Sequence, residues 1–294
     1  MVAQYPSIER FSHDVGLSAD ILVRTFALEK AFHHDMRTEA DPARRRVMYN
    51  ELYTRVFEIY GAEFRINLEA EAGPKDAMVE MLRPELQGRA ILDIGCGAGE
   101  FLLSCARKVE PSRLLGIDVF AKDMDVGERH LRFRRADVIR FDLGERFDVV
   151  VTDNVMEHIA PQDVEDHLAS IHNALEPGGL LMIFTPNRHF GPWDVTRILD
   201  DTYAGNVPAQ GSHLHEYTHA ELAETLTHAG FVDLHAIHPK ARIGLRPAQR
   251  RTGIEPLLRG ERQAALMRRL KTVDKRFRLQ AFEIAMFARK AFAA

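Results

Sequence analysis

The chain has 294 residues, 46% of them apolar and 28% charged, with a formal net charge of −4. That balance fits a soluble globular protein of one large domain, or one domain with attachments, and excludes a global attraction to nucleic acid. No apolar run approaches the ~18 residues of a membrane span. The opening stretch MVAQYPSIERFSHDV lacks the apolar core of a signal peptide. Two cysteines, Cys96 and Cys105, are too few for a disulfide framework, and the expectation is a cytoplasmic chain with reduced thiols.

Residues 1–72 space their apolar side chains three and four apart, as in ADILVRTFALEKAFHH and RRRVMYNELYTRVFEIYGAEF, which predicts helices. Gly73 and Pro74 mark an expected boundary between a helical N-terminal cover (1–73) and the domain that follows (74–294). From there strands and helices alternate. KDAMVEMLRPEL is a helix, AILDIG a strand, GEFLLSCARKV a helix, RLLGIDV a second strand, LRFRRAD a third and FDVVVTD a fourth. PQDVEDHLASIHNAL is a helix with Pro at its start, stopped by PGG, and LLMIFT is a fifth strand. Strands that alternate with helices imply a parallel sheet covered on both faces.

Residues 186–217 interrupt this rhythm with the only Trp, three prolines and three histidines. So long a connection is usually functional, and a lid or acceptor loop is the expectation. THAELAETLTHAGF restarts as a helix, with Thr218 and Glu221 in a capping-box pattern and Gly230 as its stop, and FVDLHAIH is a sixth strand. FEIAMFARK near the C-terminus fits a seventh strand or a helix end, and a strand is preferred.

The stretch ILDIGCGAGEF (91–101) puts a glycine-rich turn between a strand and a helix, the arrangement of a nucleotide site. A dinucleotide fingerprint needs its third glycine at position 100, and Glu100 stands there. A carboxylate facing a pyrophosphate weighs against NAD.

The pattern Asp93-x-Gly95-Cys96-Gly97-x-Gly99 resembles motif I of the class I S-adenosylmethionine (SAM)-dependent methyltransferases. Asp118, at the end of LLGID some 20 residues on and followed by Val119, is an acid able to accept both hydrogen bonds of a ribose diol. RRADVIRFDL resembles the family's adenine-binding segment, with Asp137 and Val138 at the contacts. FDVVVTDNVMEHI resembles its fourth strand and following loop, with Asn154 and Met156 on the cofactor side, and LEPGGLLMIFTPN its turn into the fifth strand. The resemblance covers roughly residues 75–238 and points to the small-molecule branch. It implies α/β architecture: a Rossmann-like, mostly parallel seven-stranded sheet with helices on both faces, a helical N-terminal region, and a basic helical insertion (240–278) before the last strand. It also implies SAM as cofactor. The Asn-Pro-Pro-Tyr motif of enzymes that methylate nucleic-acid amino groups is absent, and TDNV stands in its place.

Methyl transfer from a sulfonium demands alignment of the acceptor, and a hydroxyl acceptor gains from a general base. His158, four residues after Asn154, is the first candidate, and a role in orienting the loop is its alternative. His213, with His215, Tyr203 and Tyr217, is expected to line the acceptor pocket. HLHE (213–216) raises a metal alternative that is weaker than pocket lining, and no metal is expected. Residues 240–278 hold thirteen Lys or Arg against three acids, an amphipathic segment open to an anionic membrane surface, an acidic partner, or plain solvent. The resulting expectation is a SAM-dependent methyltransferase acting on a small molecule, with O-methylation favoured. A protein or RNA methyltransferase and a non-catalytic SAM-binding subunit are the alternatives.

Overall fold

The computed structural model describes residues 4–60, 68–119, 124–126, 131–200, 207–237, 251–277 and 283–292. Four helices precede the first strand: α1 Ile8–Val15, α2 Ala19–Thr38, α3 Pro42–Tyr60 and α4 Leu68–Leu86. Ser18 caps α2 by accepting from the Ile21 amide. The boundary expected at 73/74 falls inside α4. Pro74 removes one backbone donor but leaves the helix unbroken, and Val79, Leu82 and Leu86 beyond it anchor α4 by complete burial.

Then come β1 Ala90–Ile94, α5 Glu100–Lys108, β2 Arg113–Asp118, β3 Met124–Val126, β4 Leu131–Arg135, β5 Phe147–Asp153, α6 Val164–Ala174, β6 Leu175–Thr185, α7 His219–His228, β7 Phe231–Ile237, β8 Arg251–Gly253, α8 Glu255–Glu261, α9 Ala264–Phe277 and β9 Ile284–Lys290. The strands form one sheet in the order β3-β4-β2-β1-β5-β6-β9-β7-β8. Seven of them make the expected frame. β4, β2, β1, β5 and β6 run parallel, and β9 pairs antiparallel with both β6 and β7. The three-residue strands β3 and β8 add an antiparallel edge at each end. Within FEIAMFARK, Ile284–Lys290 form strand β9, and Ile284 to Phe287 are almost wholly buried on both faces, the signature of a central strand.

Alternate strand residues split between two apolar layers. Ile91, Leu114, Val149, Val151 and Met182 pack with α4 and α5 through Val79, Leu82, Leu86, Phe101 and Leu102. Leu92, Ile94, Leu115, Ile117, Val150 and Ile183 face α3, α6 and α7 through Leu52, Val56, Leu168, Ile171 and Leu222. Each fully buried aliphatic side chain contributes about 1.5–3 kcal/mol. A third cluster joins α1 and α2 to the 186–217 connection through Phe11, Leu22, Phe26, Val195 and Ile198.

The capping box at Thr218 and Glu221 is formed. The basic segment is part strand (β8) and part helix (α8, α9), while residues 238–250 lie outside the described residues. Among the described residues, no helix is long and apolar enough to cross a membrane.

Candidate active site

β1 ends at Ile94, and the chain turns through Gly95, Gly97 and Gly99 at φ of 69°, 52° and 87° before α5 begins. Only glycine holds such angles without strain. The amides of Gly95 and Cys96 both donate to the Ile117 carbonyl, at 2.8 and 3.1 Å, which ties the loop to the end of β2. The Gly97 amide donates to the Asp118 carboxylate at 3.0 Å. Across the sheet, Asn154 closes β5 in a left-handed conformation, φ 55°, which Asn tolerates better than most residues.

These strand ends open onto a cavity of about 550 Å³, within the range of small-molecule sites. Gly95, Asp118, Val119, Asp137, Val138, Asn154, Val155, His158 and Ile159 line it from the strand ends and the loops that follow them, and Arg46, Tyr49, Asn50 and Tyr53 of α3 complete the wall. Arg46 Nε lies 2.8 Å from Asp137 Oδ2, while Asp137 Oδ1 accepts from the Ile139 amide. α3 is held by a buried ion pair: Arg45 Nε donates to Asp163 Oδ2 at 2.8 Å and Arg45 Nη2 to Oδ1. The Tyr49 hydroxyl accepts from the Ala160 amide at 2.6 Å and lies 3.5 Å from Asp163.

Beside the cavity, His158 Nδ1 faces the Ser212 carbonyl at 3.1 Å, and its ring meets that of His213 edge to face, with centroids 4.8 Å apart. The carbonyl can only accept, so Nδ1 carries the proton and Nε2 the lone pair. Burial and the neighbouring His213 push the pKa of His158 down to about 3. His213 behaves oppositely: burial opposes its charge, but Glu216 Oε1, 2.9 Å from Nδ1, and nearby Asp194 hold its pKa up. Burial pushes the Glu157 carboxyl up, although Thr185 Oγ1 donates to its Oε2 at 2.8 Å.

The residues expected at the site divide into two groups. Gly95, Asp118, Val119, Asp137, Val138, Asn154 and His158 line the cavity. Asp93, Cys96, Gly97, Gly99 and Met156 are not among its lining residues. Asp93 is buried beneath the loop, where desolvation and Asp153 raise its pKa well above the carboxylate range and Lys75 opposes them. Cys96 and Met156 are buried packing residues, and both cysteines are free thiols whose pKa burial raises.

His213 does not line the cavity either. Nor does any other described residue of 186–217. Phe190, Val195, Ile198 and Leu214 bury this segment instead. Glu29 accepts from the Ser212 amide at 2.7 Å, and Arg37 donates to the Leu214 carbonyl at 2.7 Å. Tyr203 lies outside the described residues. HLHE does not converge as a unit, since His215 turns to Tyr217 while Glu216 bonds His213. The wall built by α3 was not anticipated. Its signal was Tyr49 and Tyr53 at helical spacing, which periodicity alone reads as core.

A family model described as a methyltransferase domain matches residues 65–236. The chain belongs to the methyltransferase-domain family. Curated relatives include a ubiquinone biosynthesis O-methyltransferase of Brucella ovis, 30% identical over 45% of this chain and 54% of that protein. One of the same name from Coxiella burnetii is 28% identical over 52% of this chain and 68% of its own length. The chain thus spans about half the length of the first of these relatives. Among solved structures, 1,6-didemethyltoxoflavin-N1-methyltransferase of Burkholderia thailandensis, with S-adenosylhomocysteine bound, aligns over 86% of this chain and 92% of its own at a TM-score of 0.51 and 18% identity. That likeness shows the shared fold.

The family's methyl donor is SAM, and the residues present fit it. The loop at Gly97 opens onto free space, where an added Cβ would meet nothing within 4 Å. Gly95 is tight against Val155 on the protein side, where an added Cβ would lie 2.5 Å from Cγ2. A carboxylate, Asp118, stands at the β2 end of the cavity and apolar Val138 and Ile139 beside it.

Proposed function

We propose that this chain transfers the methyl group of SAM to a hydroxyl of a small-molecule acceptor. The observation that carries the reading is that Asp118, Asp137 and His158 line one cavity together with Tyr49, Asn50 and Tyr53 of α3. That cavity offers room for a nucleoside at one end and a compact acceptor at the other. When bound, the donor supplies an electrophilic methyl group for in-line displacement. Asp118 would hold the ribose diol, releasing the Gly97 amide that it now accepts from. Val138 would supply backbone contacts to adenine, and Asp137 its side chain, shared with Arg46. Tyr49, Asn50 and Tyr53 exclude water and orient the acceptor, a positioning effect able to remove several kcal/mol of barrier. His158 presents the polar group at the acceptor end. Its strong bias to the neutral form makes the imidazole a lone-pair donor toward a hydroxyl rather than a fixed charge.

The oxygen preference is supported by the names of the relatives, which are O-methyltransferases. The test is transfer of labelled methyl from SAM to a panel of phenols, catechols and primary amines of similar size. Labelled phenolic or catecholic product supports the reading, and label only on amines, or on none of the panel despite tight SAM binding, refutes it.

A further inference from the structure

We infer that Glu157, His158 and His213 form a binding site for a divalent cation of the zinc class. The three residues come from two segments more than fifty positions apart, and each offers a ligand-type atom within 4.8 Å of the others. Two imidazoles and a carboxylate are a donor set that zinc takes readily.

The strongest argument is what surrounds the three side chains. Metal-binding histidines almost always give their second ring N–H to a carboxylate or a backbone carbonyl, which fixes the ring and its tautomer. Both histidines here do so. His213 Nδ1 faces Glu216 Oε1 at 2.9 Å, and that oxygen is itself fixed by the Trp193 amide at 2.7 Å. His158 Nδ1 faces the Ser212 carbonyl at 3.1 Å. His158 is left with a free Nε2 to ligate, and His213 offers Nε2 once the entering ion displaces its proton to solvent. Glu157 follows the same pattern: Thr185 holds Oε2, while Oε1 is buried and makes no hydrogen bond.

An unpaired carboxylate oxygen inside a protein is costly and calls for an explanation. Pairing with His213 is the simplest, but His213 already has Glu216 as its counter-charge. A cation uses the free oxygen and the two Nε2 atoms at once. Ligand atoms of a tetrahedral zinc site lie roughly 3.3–3.6 Å apart, given metal–ligand distances near 2.0–2.2 Å. The ion would thus draw the side chains in by about an ångström. The site would clamp the loop after β5 to the connection at 211–217 and adjoin the cavity through His158. It uses the same His158 nitrogen that the proposed function turns toward the acceptor, so with the ion bound that lone pair belongs to the metal and not to a hydroxyl.

The test uses the full chain, stripped of metal with a chelator and titrated with zinc chloride by calorimetry. One equivalent binding in the micromolar range or tighter is expected, weakened at least tenfold in Glu157→Gln and in His213→Gln but not in His215→Gln, a histidine outside the cluster. Cobalt(II) titrated into the unaltered protein should give the visible absorption bands of a four-coordinate site, which keeps the inference testable should a variant fail to fold. No zinc uptake, or uptake equal in all three variants, overturns it. SAM binding is measured on the same stripped protein: retained SAM binding without zinc uptake rejects the cation site alone, whereas loss of both rejects the methyltransferase reading as well.

Discussion

The roof of the cavity hangs on Arg45 and Asp163, whose side chains are each only 3% exposed. Arg45 meets both carboxylate oxygens and also donates to the Glu39 carbonyl at 2.7 Å. Asp163→Asn keeps the shape of the acid and removes its charge, leaving a buried guanidinium unpaired. Breaking such a pair costs about 3–5 kcal/mol, a large share of the roughly 5–15 kcal/mol by which domains are stable. At roughly 2–4 °C per kcal/mol for a chain near this size, Tm should fall by roughly ten degrees. Arg45→Met with Asp163→Leu removes both charges and retains volume, so it should recover most of the loss. α3 also carries Tyr49, Asn50 and Tyr53 into the cavity wall, so SAM affinity should weaken in the single variant. Urea denaturation and calorimetry measure the two effects. A loss below about 1 kcal/mol in Asp163→Asn, or a double variant no better than the single, would refute the claim that this pair fixes the roof.

Three further outcomes follow from the same geometry. Gly95→Ala should lose more stability and SAM affinity than Gly97→Ala: its new methyl lies 2.5 Å from Val155, whereas at Gly97 only the backbone strain of a positive φ, about 1–2 kcal/mol, is added; equal losses by urea denaturation would contradict this. Asp118→Ala should weaken SAM binding at least tenfold in calorimetry while Tm moves little, since each hydrogen bond to a charged acceptor is worth roughly 1.5–3 kcal/mol; unchanged affinity would mean another group holds the ribose. Glu29, raised by burial and by Asp194 from 4.5 to about 7, binds its proton more tightly folded than unfolded. Its penalty is absent below pH 4.5, grows as pH rises toward 7 and is complete above, at about 3 kcal/mol. Glu29→Gln should therefore gain stability over the unaltered protein at pH 8 and not at pH 4.5, and a difference independent of pH would show that the carboxyl is not strained.

The strand–glycine–helix unit was legible because each part of it is local. AILDI is apolar apart from Asp93, the glycines occupy positive φ, and the acid at the end of β2 falls at a fixed distance along the chain. β9 was harder, since IAMFA reads equally as strand or helix until the sheet supplies neighbours on both sides. The edge strands β3 and β8 were invisible, because three residues carry no period. The expected break at Gly73-Pro74 failed because turn-forming residues bias a backbone without deciding it. The anchoring of residues 186–217 was hidden for a related reason. A stretch rich in proline, glycine and histidine looks like a loop, yet Glu29, His33 and Arg37 of α2 bind it through hydrogen bonds to distant backbone that no local pattern records.

The division between what was legible and what was not follows the chemistry of the two ligands. The donor is common to the family, and the residues placed to hold it lie inside the matched region 65–236. In the proposed reading the acceptor also meets α3, at Pro42–Tyr60, which lies outside that region and supplies Arg46, Tyr49, Asn50 and Tyr53 to the cavity wall. Arg46 crosses between the two, as it reaches Asp137 from the roof. A change of acceptor can then arise in α3 while the donor loop stays intact, and a change in Arg46 should be felt at both ends. Exchanging Tyr53 for a smaller residue should accordingly alter which acceptors are methylated, and the KM for each, with SAM affinity nearly constant. Arg46→Ala should weaken SAM and acceptor together. If Tyr53→Ala instead weakened SAM and left acceptor selection unchanged, α3 would be a cover for the cofactor and the acceptor would have to enter elsewhere.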